Sequence, residues 1–273
     1  MCSSDDPTQN TAVLCDYLRQ AAGMGAGIAL TPEVTNCVST SSVHQRRVLH
    51  LEENDPTLRA VQQEAQSLGL WVLIGSLALQ SGDEDGRFAN RSLLIDPKGQ
   101  IRARYDKIHM FDVQVSENET YRESAGFRPG DAAVLAQTPF ATLGLSICYD
   151  LRFAYLYRTL AQAGAEVLTI PAAFSPVTGA AHWETLLRAR AIETGCFVLA
   201  PAQTGRHTAS EGRARTTHGH SMAIAPWGEV LLDMGKEPGV GMVEIDLVHV
   251  AESRARVPAL HHDRTFRMPE TAK

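Results

Sequence analysis

An α/β layered fold is predicted for this chain by three observations. Short apolar runs alternate with stretches whose apolar residues recur at helical spacing. Turn-rich breaks separate some neighbouring runs closely enough for hairpins and others only widely enough for a crossover helix. Gly and Pro are spread along all 273 residues, with no low-complexity tract and no linker, so the whole of 1–273 is expected to form a single domain.

The elements follow in order. Asn10 can cap a helix running to about Ala22, with Val13, Leu14, Tyr17, Leu18 and Ala21 on one side. Residues 28–30 read as a short buried strand. Pro56 opens a helix and Gly69 closes it, a pairing with a physical basis: Pro has its φ preset for the first turn, and Gly tolerates the left-handed cap. Residues 70–79 form a strand. Residues 88–96 and 100–106 flank Pro97-Lys98-Gly99 as a hairpin. Residues 140–147 form a strand followed by a helix at 155–163, and 166–170 a strand followed by a helix at 181–194. The pairs Glu184/Arg188 and Arg190/Glu193 on that last helix have the spacing of an ion-paired face. Residues 197–200, 221–225, 230–232 and 240–245 are further strands. The mixture of βα units and hairpins implies both parallel and antiparallel pairs.

Composition narrows the function. A chain this long, 44% hydrophobic and 21% charged, buries a core without disulfide or metal staples. The net charge of −6 and the lack of a basic face argue against nucleic acid as a partner. The cysteines, Cys2, Cys15, Cys37, Cys148 and Cys196, are odd in number and lack CxxC spacing, which fits a reducing compartment. No apolar run approaches the ~20 residues of a membrane span. The opening MCSSDDPTQN is polar and acidic, unlike a signal or transit peptide, so a cytoplasmic protein with no membrane contact is expected.

In open α/β sheets, ligands gather beyond the carboxyl ends of strands. Three reactive side chains stand at such exits: Glu33 after 28–30, Lys107 after 100–106 and Cys148 after 140–147. A thiol at a strand-to-helix turn meets the positive end of the helix, which favours thiolate, while the first-turn N–H groups can bind an oxyanion. A buried carboxylate with a raised pKa can act as base and then acid. A lysine can hold developing negative charge. Taken singly, each has a bland reading: a structural thiol, a helix cap, a surface pair of Lys107 with Asp106. The histidines leave the base open, since His109 and His182 lie near these segments and a Cys–His hydrolase remains possible. The HxH pair His218/His220, on one face of a possible strand, lacks a third ligand at metal spacing.

At these residues the chain resembles the nitrilase superfamily of carbon–nitrogen hydrolases, from Met1 to about Asp246. The matching stretches are LTPEVTN (30–36), RYDKIHMFDV (104–113), YRESAGFRPG (121–130), GLSICYDLRFAYLYR (144–158) and PAAFSPVTGAAHWETLLRARAIE (171–193), followed by APAQTGRH and GHSMAIAPWGEV. The resemblance implies an αββα sandwich of two mixed sheets with outer helices. It implies a Glu–Lys–Cys triad of Glu33, Lys107 and Cys148, with Glu123 as a second glutamate orienting the substrate or Lys107. By position, the candidate substrate-binding residues are Tyr149, through its backbone N–H, Arg152, four residues after Cys148, and Phe174 and Thr178, which follow the next strand. Arg152 or Arg206 could meet an anion, though an ion pair of Arg152 with Asp150 or Glu184 is equally open. No cofactor and no metal are implied, and pairing into homodimers or higher homo-oligomers is.

Within the superfamily the chain looks most like the branch containing deaminated glutathione amidase and omega-amidase. The activity implied is hydrolysis, through a cysteine thioester, of a terminal carboxamide on a small carboxylate-bearing metabolite to acid and ammonia. Deaminated glutathione is the favoured substrate, with α-ketoglutaramate or succinamate as the alternative. A non-catalytic scaffold or binding protein of the same fold is the reading from another class. Family members begin with an apolar strand ahead of the segment matching MCSSDDPTQN, so that strand is expected to be missing before Met1.

Overall fold

The first helix is set by Asp6-Pro7. In the computed structural model, which describes residues 1–116 and 119–268, helix α1 spans Pro7–Gly23, and the Asp6 carboxylate accepts the N–H groups of Thr8 and Gln9 at 2.9 and 3.3 Å. Asn10 is therefore not the cap. It lies buried inside the first turn, accepting from the Ser4 N–H at 2.8 Å and donating to the Asn36 carbonyl at 2.8 Å, so it ties the chain start to the loop after the first strand. The remaining elements are β1 (Ile28–Leu30), α2 (Ser42–Val48), α3 (Pro56–Leu68), β2 (Trp71–Gln80), β3 (Phe88–Ile95), β4 (Ile101–Asp106), β5 (Asp112–Ser116), β6 (Glu119–Arg122), β7 (Leu135–Gln137), β8 (Thr142–Leu145), α4 (Ala154–Gln162), β9 (Val167–Thr169), α5 (Pro176–Thr194), β10 (Phe197–Ala200), β11 (Thr204–His207), β12 (Arg215–His218), β13 (Met222–Ile224), β14 (Val230–Asp233) and α6 (Val248–Arg256). Helix α3 starts on Pro56 with Asp55 as cap and stops at Gly69, whose φ of 65° is the left-handed conformation expected there.

Two sheets form the centre. One has the order β1-β2-β3-β4, the other β14-β13-β10-β9-β8-β7. Strands β1 and β2, β8 and β9, and β9 and β10 pair in parallel, and the other neighbours in the two sheets antiparallel. The pleat of β2 and β3 distributes their side chains. Val72, Ile74, Leu93 and Ile95 join Leu14, Leu18, Leu58, Val61 and Ala65 of α1 and α3, while Leu73 and Leu94 turn to the cluster containing Leu145, Val167, Leu187 and Trp183. Helices α1 and α3 cover the first sheet, and α4 and α5 the second, giving an αββα sandwich. Each fully buried Leu or Ile here stabilises the packing by about 1.5–3 kcal/mol.

A bulge in β2, where the register shifts between Ile74 and Leu77, falls at Gly75. A Cβ on Gly75 would stand 1.9 Å from the Thr31 carbonyl oxygen, 2.6 Å from that of Pro32 and 2.5 Å from Pro171 Cβ. The missing side chain lets the loop after β1 and the loop after β9 close onto the sheet at one point.

Four expectations change. Residues 240–245 run irregularly instead of as a strand. Their apolar side chains line an open groove together with Ile28, Leu30, Leu199 and Met222, and a strand needs a neighbouring ladder as well as an apolar face. Helix α5 begins five residues earlier than 181, because Pro176 is preset for a first turn and Gly179 packs where a Cβ would lie 2.3 Å from His218. The strand expected at 140–147 shortens to Thr142–Leu145, since a turn closed by Thr138 on Ala141 takes its start. His218 ends β12 and His220 lies beyond it at φ 57°, so the two rings stack 4.6 Å apart rather than sharing a strand face. Among the described residues no helix is long and apolar enough to cross a membrane.

Candidate active site

Each of the three strand exits is held rigidly. After β1, Thr31 Oγ1 accepts the Gly75 N–H at 3.0 Å, Ser76 Oγ accepts the Val34 N–H at 2.8 Å, and Thr35 Oγ1 bonds the Pro32 carbonyl at 2.7 Å. This pinning turns Glu33 inward, where it is 4% exposed. Lys107 follows β4 with its N–H on the Asn90 carbonyl of β3 at 3.0 Å, and it is 2% exposed. Cys148 follows β8 with its N–H on the Pro171 carbonyl at 2.9 Å and φ at 51°. A left-handed backbone at a non-glycine residue is strained, and such strain collects where a side chain must be aimed.

Asp150 supports that turn. Its carboxylate, fully buried, accepts the Ile147 N–H at 2.8 Å, the Tyr105 hydroxyl at 2.6 Å and the His109 N–H at 3.0 Å, and pairs with His109 Nδ1 at 2.7 Å. A single carboxylate thus clamps the Cys148 turn to β4 and to the segment after Lys107.

The side chains converge. Lys107 Nζ donates to Glu33 Oε1 at 2.8 Å and to both Glu123 oxygens at 2.8 and 2.9 Å. Cys148 lines the same cavity, where the charge of the Glu33 carboxylate acts on its thiol. Glu33 also accepts the Ala173 N–H at 2.8 Å and Asn90 Nδ2 at 3.0 Å. Glu123 Oε2 takes the Phe111 N–H at 2.6 Å.

These contacts decide the charges. Burial works against an ionised Glu33, yet the Lys107 ammonium outweighs it, helped by Arg215 and by the neighbouring Cys148 thiol, so the carboxyl is held below its usual range. This reverses the expected raised pKa, because the lysine lies in direct contact. Burial also opposes a charged Lys107, but Glu123, Glu33 and Cys148 keep its ammonium above the ordinary value. Burial pushes the Cys148 thiol well up, and Glu33 adds to the rise while Lys107 opposes it. At rest the site therefore holds a thiol beside an ionised carboxylate and an ammonium.

Above the cluster opens a cavity of about 520 Å³, within the range of about 300–1,000 Å³ common for small-molecule sites. Glu33, Lys107, Glu123, Cys148, Tyr149, Phe174 and Thr178 all line it. Arg152 is not among the lining residues. Its guanidinium bonds His182 at 3.3 Å and lies 5.5 Å over the Phe174 ring and 5.9 Å over the Tyr149 ring, with neither Asp150 nor Glu184 as partner. Arg206 is exposed on β11, outside the cavity. No histidine lines the cavity among the described residues: His109 is held by Asp150 and Tyr155, and His182 by Arg152.

Sequence reasoning missed Asn90, Arg213 and Arg215, which also line the cavity. Asn90 carried a faint signal as an amide inside the apolar run FANRSLLI. The arginines carried none, since an arginine in a polar stretch or at the start of a short polar strand reads as solvated. Asn90 Oδ1, Ser175 Oγ, Thr178 Oγ1 and Arg215 Nε are buried with no hydrogen-bond partner among the described residues, and all four residues line this cavity. Unpaired buried polar atoms cost about 1–3 kcal/mol each, which a polar ligand can recover. Among the described residues no group of three or more His, Cys, Asp or Glu side chains is placed to hold a metal.

A family model for carbon–nitrogen hydrolases matches residues 1–255. The deaminated glutathione amidase of Yersinia enterocolitica is 38% identical over 267 residues, covering 97% of this chain and 91% of that one. The Synechocystis protein of the same name is 45% identical over 208 residues, covering 76% of this chain and 75% of its own. Among solved structures, the C. elegans NitFhit protein superposes with a TM-score of 0.89 at 33% identity over 97% of this chain. This chain spans 63% of that longer one. Saccharomyces cerevisiae Nit3, a member of branch 10 of the nitrilase superfamily, superposes with a TM-score of 0.83 over 97% of this chain and 93% of its own at 23% identity, which speaks for the fold alone.

Proposed function

The chain belongs to the carbon–nitrogen hydrolase family and is a hydrolase acting on amides, and from that premise we propose that Cys148, Glu33 and Lys107 form its catalytic triad and that deaminated glutathione is its substrate. The observation that carries the triad is the gathering of all three in the lining of one cavity, with Lys107 Nζ 2.8 Å from Glu33 and the Cys148 thiol within the influence of the same carboxylate. The identity to relatives named for deaminated glutathione supports the substrate.

In the proposed mechanism the substrate carbonyl lies against Sγ, its oxygen facing Lys107 and the Tyr149 N–H. Sulfur attacks as its proton passes to Glu33. The low proton affinity of resting Glu33 is not an obstacle, because the growing oxyanion draws Lys107 toward itself and loosens the hold that keeps Glu33 ionised. Glu33 then protonates the amide nitrogen, the C–N bond breaks, and the acyl group remains on sulfur as a thioester. The same carboxylate takes a proton from water as that water attacks the thioester, which releases the acid and restores the thiol. Glu123 keeps Lys107 aimed throughout, and Phe174 and Thr178 bound the acyl chain.

In deaminated glutathione the scissile amide joins a five-carbon keto acid to cysteinylglycine, so the released group is a dipeptide amine. Release of ammonia from a terminal carboxamide belongs to α-ketoglutaramate and succinamate instead. The test is to offer deaminated glutathione, α-ketoglutaramate, succinamate and a simple nitrile side by side. Deaminated glutathione should have the highest kcat/KM; a preference for α-ketoglutaramate moves the assignment to omega-amidase, and a preference for the nitrile overturns it.

The reading extends to a single domain, a cytoplasmic location and a homodimer. One apolar cluster shared by both sheets supports the first, and the free cysteines the second. Exposed Tyr155 on α4 and Val177 and Ile192 on α5 support the third.

A further inference from the structure

The cavity lining carries four cations and two carboxylates in a chain whose net charge is −6. Lys107 is taken up by Glu33 and Glu123. Arg122, Arg213 and Arg215 line the same cavity and have no ion-pair partner among the described residues. Cations that outnumber the carboxylates of a cleft attract an anion, and arginine takes a carboxylate with two parallel hydrogen bonds.

Arg215 is the best placed. It is half-buried, its Nη2 donates to the Ala173 carbonyl, its plane lies 5.6 Å from the Tyr121 ring, and its buried Nε has no partner. Among the described residues one of its five N–H groups has a hydrogen-bond acceptor, and that bond with the Tyr121 contact fixes its position. Arg213 stands two residues upstream at the mouth. Its backbone is locked by reciprocal bonds with Thr40, its N–H donating to Thr40 Oγ1 at 3.0 Å and its carbonyl accepting from that hydroxyl at 2.9 Å.

The side of the reaction follows from Ala173. Its N–H reaches Glu33 Oε2 and its carbonyl holds Arg215, so the guanidinium lies one residue from the carboxylate that protonates the departing nitrogen. Arg152 lies instead over the Tyr149 and Phe174 rings. We propose that Arg215, with Arg213 beyond it, forms an anion subsite on the leaving-group side of the reacting carbonyl. It holds the carboxylate of an amino-acid or peptide amine, which makes the substrate an N-substituted amide with an anion beyond the scissile nitrogen. This rests on the amidase mechanism above, in which Glu33 hands its proton to the leaving amine.

The test uses the full-length enzyme and two substrates that differ only at the far end: deaminated glutathione and its C-terminal carboxamide. The wild type should prefer the free acid by at least about tenfold in kcat/KM, the scale of a hydrogen-bonded charge pair, with most of the difference in KM. Arg215→Gln should bring the ratio to within about twofold of unity, and Arg215→Lys should retain part of it, since charge survives but the fork does not. Arg213→Gln, at a more exposed position, should lower the ratio about threefold. General damage from a substitution cancels in the ratio. A wild-type ratio near one, or a ratio unchanged in Arg215→Gln, overturns the subsite while amide hydrolysis itself stands. Loss of discrimination on a matched pair altered only at the keto-acid carboxylate would place the arginines on the acyl side and overturn it too. A wild type that splits none of these amides removes the mechanism beneath it and the subsite together.

Discussion

Replacing Lys107 by Met should convert the ion cluster into a pH-sensitive defect. Lys107 is 2% exposed and holds Glu33 and Glu123 at 2.8 Å each. Its removal leaves two carboxylates facing one another, bridged only by Asn90 Nδ2 at 3.0 and 3.4 Å. Breaking a buried pair while keeping one charge costs about 3–5 kcal/mol, a large share of the 5–15 kcal/mol that holds a typical domain together. At about 2–4 °C per kcal/mol, the midpoint should fall by at least roughly 6 °C near neutral pH. The sign then reverses with acid. In the wild type the Glu33 carboxyl is depressed, so its contribution is present above the unfolded value of 4.5 and is lost as pH falls through the folded value. In Lys107→Met the largest charge opposing burial is gone, leaving Arg215 and the Ala173 and Asn90 donors, so that carboxyl rises and the variant gains stability as pH falls toward the unfolded value. Thermal unfolding of both proteins at pH 7.5 and pH 5.5 should show a gap that narrows at the lower pH. Adding Glu33→Gln to Lys107→Met should recover much of the loss at pH 7.5. A gap equal at both pH values, or no destabilisation at all, would refute the picture of an ion cluster held together by its lysine.

Cys148→Ala should abolish turnover with the fold intact, and mass spectrometry of wild type with substrate should place an acyl adduct on the Cys148 peptide; an adduct on Cys37 or Cys196 would contradict the assignment. Glu33→Gln should lower kcat by at least about a hundredfold, the scale of a lost acid–base group, and near-normal rates would reopen the search for a base. Glu123→Gln should retain the fold and lose activity less severely, since Lys107 keeps Glu33 as a partner; kcat measured beside the Glu33 variant checks the order. Gly75→Ala should destabilise by about 3 kcal/mol or more, because its methyl would meet two carbonyl oxygens at 1.9 and 2.6 Å; a melting temperature within a degree of wild type would show that the loops can move apart.

Local features were legible because their physics is local. Pro56 and Gly69 bracket α3 through fixed φ and left-handed tolerance, and both act within one turn of chain. The apolar run of β2 reads as a strand because it is buried on both faces. Glu33, Lys107 and Cys148 could be singled out because strand exits are where α/β sheets put ligands, and the motifs around them resemble a known family. Elements whose existence depends on a partner were not legible. The apolar residues of 240–245 line a groove without joining a ladder, and the hairpins β5–β6 and β11–β12 are too short and polar to announce themselves.

The sequence by itself determined the layered α/β class, the three reactive positions and the family they belong to, since each is written in contiguous residues. Only the tertiary structure decided how those groups are charged. Burial of Glu33 argues for a raised carboxyl, and contact with a lysine 74 positions away reverses it. It also decided that Asp150 braces the Cys148 turn, that His109 is held away from the cavity, and that Arg213 and Arg215 line it from β12 and the segment just before it. Electrostatic energies depend on separations in space and on the solvent excluded between groups, and neither quantity is fixed by spacing along the chain.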